Sequence, residues 1–255
     1  MSAWILLRGL TRETRHWGRL PDALRNVVGH DRIVLLDLPG NGEYNAVRAP
    51  ASVTEIVEFV RIAARQSGVR GPYSVLAMSL GGMVATAWAQ RYPGELNRLV
   101  LINTSMRPFS WMVERLRPSA WPGLVDVALH WRDARRAERV IHQLTCNDRE
   151  MQAADLDAWC AVRHAAPVSE GNALRQLWAA ARFSAGAKAP ACAVLILSSR
   201  ADKLVNPVCS ARLAAAWAVT HREHPWAGHD LPHDDPVWTG EQVRAWLSLQ
   251  AAALG

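Results

Sequence analysis

A chain of 255 residues, 50% apolar and 20% charged, carries enough hydrophobic side chain for one sizeable core, which excludes disordered, collagen-like and low-complexity classes. Twenty-nine Lys and Arg against 23 Asp and Glu leave a formal charge of +6, spread without a polybasic block, so nothing indicates a nucleic-acid partner. No apolar run approaches the roughly 18 residues of a membrane span, and Cys146, Cys160, Cys192 and Cys209 lie far apart without CxxC spacing, which argues against a zinc site or a disulfide framework.

In chain order, Trp4 to Arg8 reads as a buried strand and not a secretion signal, because it has no basic start, no long apolar segment and no cleavage site. A cytoplasmic location is the resulting expectation. A helical segment is predicted near 14–27, a strand at Arg32 to Asp37, a helix at 53–67, a strand at Tyr73 to Ala77, a helix at 80–92 and a strand at Leu96 to Ile102. From about Met106 to Ala187 no strand-like run occurs, and Pro108, Pro118, Pro122, Pro167 and Gly171 punctuate several short helices. The alternation then resumes with strands at Ala193 to Ser198 and Val219 to His224 and helices at 207–217 and 238–250. The class is α/β: a mostly parallel sheet of about six strands with helices on both faces, residues 1–105 and 188–255 forming the core and 106–187 a helical insertion.

The sharpest local signal is Val75-Leu76-Ala77-Met78-Ser79-Leu80-Gly81-Gly82, a strand entering a helix with serine at the junction, the pattern of a nucleophile elbow. Ala77 replaces the glycine usual on the strand side, at the expense of one methyl group. The alternative reading of Ser79 is an ordinary helix cap. A serine hydroxyl needs a base and an orienting carboxylate. Asp202 stands after the strand ending near Ser198, in Ser199-Arg200-Ala201-Asp202-Lys203-Leu204-Val205-Asn206-Pro207, where open parallel sheets place their ligands. His229 follows the next strand in Trp226-Ala227-Gly228-His229-Asp230, and unlike His224 and His233 it follows a glycine. The chain order is then Ser79, Asp202, His229. The Leu80 amide, next after the nucleophile, is one expected oxyanion donor. Asp230, Asp234 and Asp235 read as a solvated loop and helix-start cluster; no metal and no cofactor are expected.

With these motifs and Leu35-Leu36-Asp37-Leu38-Pro39-Gly40-Asn41-Gly42, the chain resembles the α/β-hydrolases over its whole length apart from the insertion. In general character it is similar to the small capped carboxylesterases, including the group of pimeloyl-carrier-protein methyl ester esterases. The resemblance implies that 106–187 is a cap over the site, that the family's leading hairpin is missing, and that the second oxyanion donor is the Leu10 amide in Leu7-Arg8-Gly9-Leu10. Arg8 occupies the position where the family commonly has histidine. It either makes the buried hydrogen bonds of that histidine or reaches the pocket to select a carboxylate-bearing substrate.

In the insertion, Arg132, Arg135, Arg136 and Arg139 are spaced at i, i+3, i+4 and i+7, which places them on one helix face. This stripe is either a solvated lid surface or, as the resemblance suggests, a dock for an acidic carrier protein. Trp111, Trp121, Trp131 and Trp159 either line an acyl pocket or hold the insertion together. The expected function is a serine hydrolase of a carboxylic ester or thioester working through an acyl-enzyme on a small acyl substrate. Carbon-carbon bond hydrolysis and acyl transfer share the same triad, and a non-catalytic ligand receptor is the reading from a different class. Serine at the elbow excludes haloalkane dehalogenation and epoxide hydrolysis, which need a carboxylate there.

Overall fold

The computed structural model describes residues 3–252. Strands β1 (Ala3–Leu7), β2 (Arg32–Leu36), β3 (Tyr73–Met78), β4 (Leu96–Ile102), β5 (Ala193–Ser199) and β6 (Thr220–His224) form one sheet in the order β2-β1-β3-β4-β5-β6. Every neighbouring pair is parallel. Inner parallel strands are covered on both faces, so they run apolar instead of alternating, as β1 does, while the edge strand β6, Thr-His-Arg-Glu-His, is polar. The two-residue period of a strand then divides each run between two cores. Ile5, Leu7, Val75, Ala77, Leu99, Leu101 and Ile196 face one core, and Trp4, Leu6, Leu76, Val100, Leu195 and Leu197 the other.

The first core is covered by α2 (Val53–Gln66), α3 (Leu80–Arg91) and α9 (Val208–Trp217), through Val57, Val60, Val84, Trp88 and Leu213. The second is covered by α1 (Leu20–Val28) and α11 (Pro236–Ala252), through Leu20, Leu24, Val243 and Trp246. The helix predicted near 14–27 is in fact two pieces: a 3-10 turn at Thr14–Trp17, a break at Gly18 with φ of 52°, and then α1.

Between β4 and β5 the described residues contain helices only: α4 (Met112–Arg115), α5 (Trp121–Leu129), α6 (Ala134–Thr145), α7 (Gln152–Ala165) and α8 (Glu170–Arg182). An isolated bridge between Arg107 and Ser184 brings the ends of this segment together. A short helix α10 (Leu231–Asp234) precedes α11. Among the described residues no helix is long and apolar enough to cross a membrane.

Because β1 is flanked by β2 on one side and β3 on the other, the chain reverses its winding there. The crevice at such a switch point, outside the strand carboxyl ends, is where open α/β sheets bind ligands. The segments that follow β1 and β3, Arg8 to Leu10 and Ser79, meet at that crevice.

Candidate active site

Ser79 sits between β3 and α3 with φ of 53° and ψ of −119°, a conformation that costs a non-glycine residue strain and persists only where the surroundings hold it. Those surroundings are close-packed backbone. A Cβ on Gly81 would lie 2.5 Å from the carbonyl oxygens of both Leu7 and Arg8, one on Gly82 2.8 Å from the Thr104 side chain, and one on Gly9 3.0 Å from Ser79 Cβ. Thr104 Oγ1 donates to the Ser79 carbonyl at 2.8 Å. Ala77, in place of glycine, is completely buried in the first core.

Asp202 and His229 are both buried, and the His229 ring bonds through Nδ1 to Asp202 Oδ2 at 2.7 Å. The second carboxylate oxygen accepts the amides of Leu204 at 2.8 Å and Val205 at 2.9 Å, so the acid is fixed from both sides. With Nδ1 engaged, Nε2 is the ring atom left to take a proton. Ser79 and His229 line one cavity of about 100 Å³ together with Leu10, Leu124, Ile141, Leu144 and Leu204. Its apolar wall is therefore shared between the loop after β1, the loop after β5, and helices α5 and α6. The Leu80 amide opens α3 and has no carbonyl behind it in the helix; neither it nor the Leu10 amide takes part in the turn hydrogen bonds of these segments. A larger groove of about 860 Å³ runs along Arg48 to Glu55 and Arg175 to Ser184, away from these groups.

Arg8 makes buried hydrogen bonds, the first of its two expected roles, and it also lines the cavity that holds Ser79 and His229. It is 2% exposed and donates from Nη1 and Nη2 to the two carboxylate oxygens of Asp230 at 2.9 and 2.6 Å, while Nη1 also meets Met78 Sδ at 3.4 Å. Burial works to raise the Asp230 carboxyl, but the Arg8 charge and hydrogen bonds hold it well below the usual carboxylate range. Asp230 and Asp234 are thus not solvated, as the sequence suggested. Asp234 is also buried and accepts the amides of Gly228, Asn147 and Asp148, and burial pushes its carboxyl up.

Sequence reasoning missed Asn103. Its Nδ2 donates to the carbonyls of His229 at 2.7 Å and Gly228 at 3.2 Å and to Ser199 Oγ at 3.0 Å, and its Oδ1 accepts the Ser199 amide at 2.9 Å. One side chain at the end of β4 thus ties the end of β5 to the histidine loop. Gln176 of α8 was also missed: it accepts the Thr11 amide and donates to the Pro39 carbonyl and Asn41 Oδ1, fastening the loop after β1 to the loop after β2. The positive φ of Asn103, 44°, is one that asparagine adopts more readily than most residues, whereas that of Thr11, 55°, is an outlier for a β-branched side chain that its residue type does not signal.

The arginine spacing does not form one stripe. Asp133 caps α6, so Arg132 precedes the helix; it lies near Glu170, while Arg135 pairs with Asp157, Arg136 with Asp126, and Arg139 is exposed. Trp111 is 76% exposed and is not part of the cavity wall. Trp131 donates to the Val168 carbonyl and lies beneath the Arg163 guanidinium. Trp159 is buried against His16, His142 and His233. Trp131 and Trp159 thus hold helices together, and the exposed Trp111 neither does so nor lines the cavity.

Comparison with known proteins adds three relatives. A 105-residue stretch, 41% of this chain, is 30% identical to the biotin biosynthesis bifunctional protein BioHC of Teredinibacter turnerae, and covers only 17% of that protein's length. A thermophilic esterase from Thermogutta terrifontis superposes over 97% of this chain and 90% of its own with a TM-score of 0.73 at 23% identity. The enol-lactonase from Burkholderia xenovorans does so over 97% and 92% with a TM-score of 0.76 at 19% identity. These two superpositions establish a shared fold. The sequence model of the family described as serine aminopeptidase, S33, matches residues 15–235, a span that includes Ser79, Asp202 and His229; the chain belongs to that family, within the α/β-hydrolase superfamily.

Proposed function

We propose that this protein is a serine hydrolase that cleaves a carboxylic ester or thioester of modest acyl size through an acyl-enzyme, with the helical segment 106–187 acting as a cap. The observation that carries the reading is the buried 2.7 Å bond from His229 to Asp202 beside a cavity that also holds Ser79 in its strained elbow. Ser79 Oγ attacks the acyl carbon while His229 Nε2 takes its proton. Asp202 keeps the imidazole in the tautomer that can accept it and stabilises the resulting imidazolium. The Leu80 and Leu10 amides take up the negative oxygen, each contributing on the order of 3 kcal/mol. As the tetrahedral intermediate collapses, His229 returns the proton to the departing alcohol or thiol. Water, deprotonated by the same ring, then attacks the acyl-enzyme, releasing the acid and restoring Ser79 Oγ–H.

The small volume and apolar wall of Leu124, Ile141, Leu144 and Leu204 favour a short or medium acyl group over a charged one, since Arg8 spends its guanidinium on Asp230. An acidic carrier protein is the less favoured form of the substrate, because Arg135 and Arg136 are already paired within the cap. The test is hydrolysis of p-nitrophenyl esters from acetyl to decanoyl, with a carrier-linked methyl ester alongside and Ser79→Ala as control. Turnover that falls to background in Ser79→Ala, with fluorophosphonate labelling lost in parallel, is the expected result. A folded Ser79→Ala protein with full turnover refutes the mechanism. A labelled but ester-inert wild type moves the reading to carbon-carbon hydrolysis or acyl transfer by the same triad.

A further inference from the structure

A second cluster of reactive side chains lies behind the histidine loop and plays no part in the proposed hydrolysis. His142 and Cys146 occupy successive turns at the end of α6, Asp155 projects from α7, and His233 comes from α10, four residues beyond His229. A ring nitrogen of each histidine and Cys146 Sγ all lie within 4.8 Å of one another. His142 Nε2 and His233 Nε2 both bond to the same Asp155 oxygen, at 3.0 and 2.9 Å. A carboxylate can only accept, so in both bonds the ring Nε2 is the atom that carries the hydrogen.

The consequence for His142 is unusual. Its side chain is completely buried, and among the described residues Nδ1 has no hydrogen-bond partner. An imidazole whose Nε2–H is held by a carboxylate and whose other nitrogen offers a bare lone pair is the form in which histidine binds a metal, the carboxylate orienting the ring. Cys146 is also completely buried. A bound cation deprotonates a coordinating thiol outright.

We propose that His142, Cys146 and His233, with Asp155 orienting the two rings, form a binding site for one zinc-like divalent cation that joins the helical segment to the loop carrying His229. Two imidazoles and a thiolate suit zinc, which favours four ligands in a tetrahedron. Tetrahedral zinc separates its ligand atoms by about 3.3 to 3.6 Å, so the donors, now within 4.8 Å, need close by only about an ångström. Charge also balances: the +2 of the ion is met by the Cys146 thiolate and the Asp155 carboxylate, which a buried site requires. On binding, metal–sulfur and metal–nitrogen bonds form, the Cys146 S–H proton leaves to solvent, and a protonated His233 releases its extra proton.

The test uses the full chain, stripped with a chelator and titrated with Co²⁺. Wild type is expected to take up one equivalent and develop a thiolate-to-cobalt charge-transfer band, which added Zn²⁺ erases. Cys146→Ser removes the band, Asp155→Asn weakens binding by about tenfold, and Cys160→Ser and Ser79→Ala leave both unchanged. Zn²⁺ raises the Tm of wild type and not of Cys146→Ser. A wild type that binds neither ion stoichiometrically at micromolar concentration overturns the proposal, whatever the fate of the variants. So does a charge-transfer band that survives in folded Cys146→Ser. Because Ser79→Ala is expected to bind metal normally, the outcome stands apart from that of the hydrolase reading.

Discussion

Replacing Arg8 with methionine removes the cation beneath the histidine loop and leaves its shape nearly filled. Arg8 and Asp230 have side chains 2% and 3% exposed, and they share two hydrogen bonds of 2.9 and 2.6 Å. Without the guanidinium, a buried carboxylate stands unpaired, which costs about 3 to 5 kcal/mol, a large share of the roughly 5 to 15 kcal/mol that holds a domain folded. Replacing both residues, Arg8→Met with Asp230→Leu, removes the stranded charge, so the cycle should close with a coupling energy of about 3 kcal/mol. The sign with pH follows from the carboxyl. In wild type the pair holds it below its unfolded value, so its stabilisation is present above that value and is lost as pH falls through the folded one. In Arg8→Met, burial is opposed only by the charges of His233 and Arg12, so the carboxyl rises, and the variant is worst at neutral pH and recovers as the group protonates. Urea melts at about pH 7 and about pH 4 measure both effects, and kcat on an ester should fall more than KM changes, because Asp230 carries His229 into place. A loss under about 1 kcal/mol, as for a surface pair, an equal loss at both pH values, or additive single changes would refute the reasoning.

Asn103→Ala should cost about 2 to 3 kcal/mol, since it leaves the buried Ser199 amide and the His229 carbonyl without partners, and should lower kcat by loosening His229; denaturation paired with steady-state kinetics reads both. Asn103→Asp, which keeps the acceptor and loses the donors, should still lower kcat. Glu95→Gln probes the surface network, where the Arg61 hydrogen bond first, opposed by burial and helped by Trp88, holds the Glu95 carboxyl at about 2. The variant should be less stable by about 1 kcal/mol after screening above the unfolded value of 4.5, and the difference should vanish as pH falls through about 2; equal differences at all pH values would exclude the ion pair as its source.

The inner strands were legible because stretches buried on both faces are apolar at successive positions, as in Leu99 to Ile102, whereas the edge strand β6, Thr-His-Arg-Glu-His, has no such run. The helical insertion was legible from its prolines. Gly18 divides a segment whose apolar spacing runs on without interruption, so the break near Trp17 was not. Ser79, Asp202 and His229 could be named because each stands at a strand end within a short local pattern; the fold brings Ser79 and His229 to one cavity, with Asp202 bonded to the His229 ring. The partners that hold them could not. Arg8 meets Asp230 across 222 positions, and Asn103 reaches His229 across 126, so no local window contains either pair. The Arg132 spacing misled because four arginines at helical intervals do not reveal where the helix starts; Asp133, capping the Arg136 amide, sets that boundary. Asp230 and Asp234 misled because acidic residues near a helix start are ordinarily wet, and only the tertiary packing shows otherwise.

The contacts that the helical segment 106–187 makes around the site divide into two kinds. Gln176 fastens the loops after β1 and β2, and Glu138 receives both Arg12 and Arg163 in a buried ion pair. Leu124, Ile141 and Leu144 line the cavity's apolar side. Exchange among aliphatic side chains of similar volume is tolerated in such places, whereas loss of a single member of a buried polar network is not. The three aliphatic positions therefore offer a route by which substrate choice drifts between relatives while the catalytic loops stay put. Variation in a lineage of such enzymes should accumulate on one side of α6, facing Ile141 and Leu144, and be sparse at Glu138, although all three belong to the same helix.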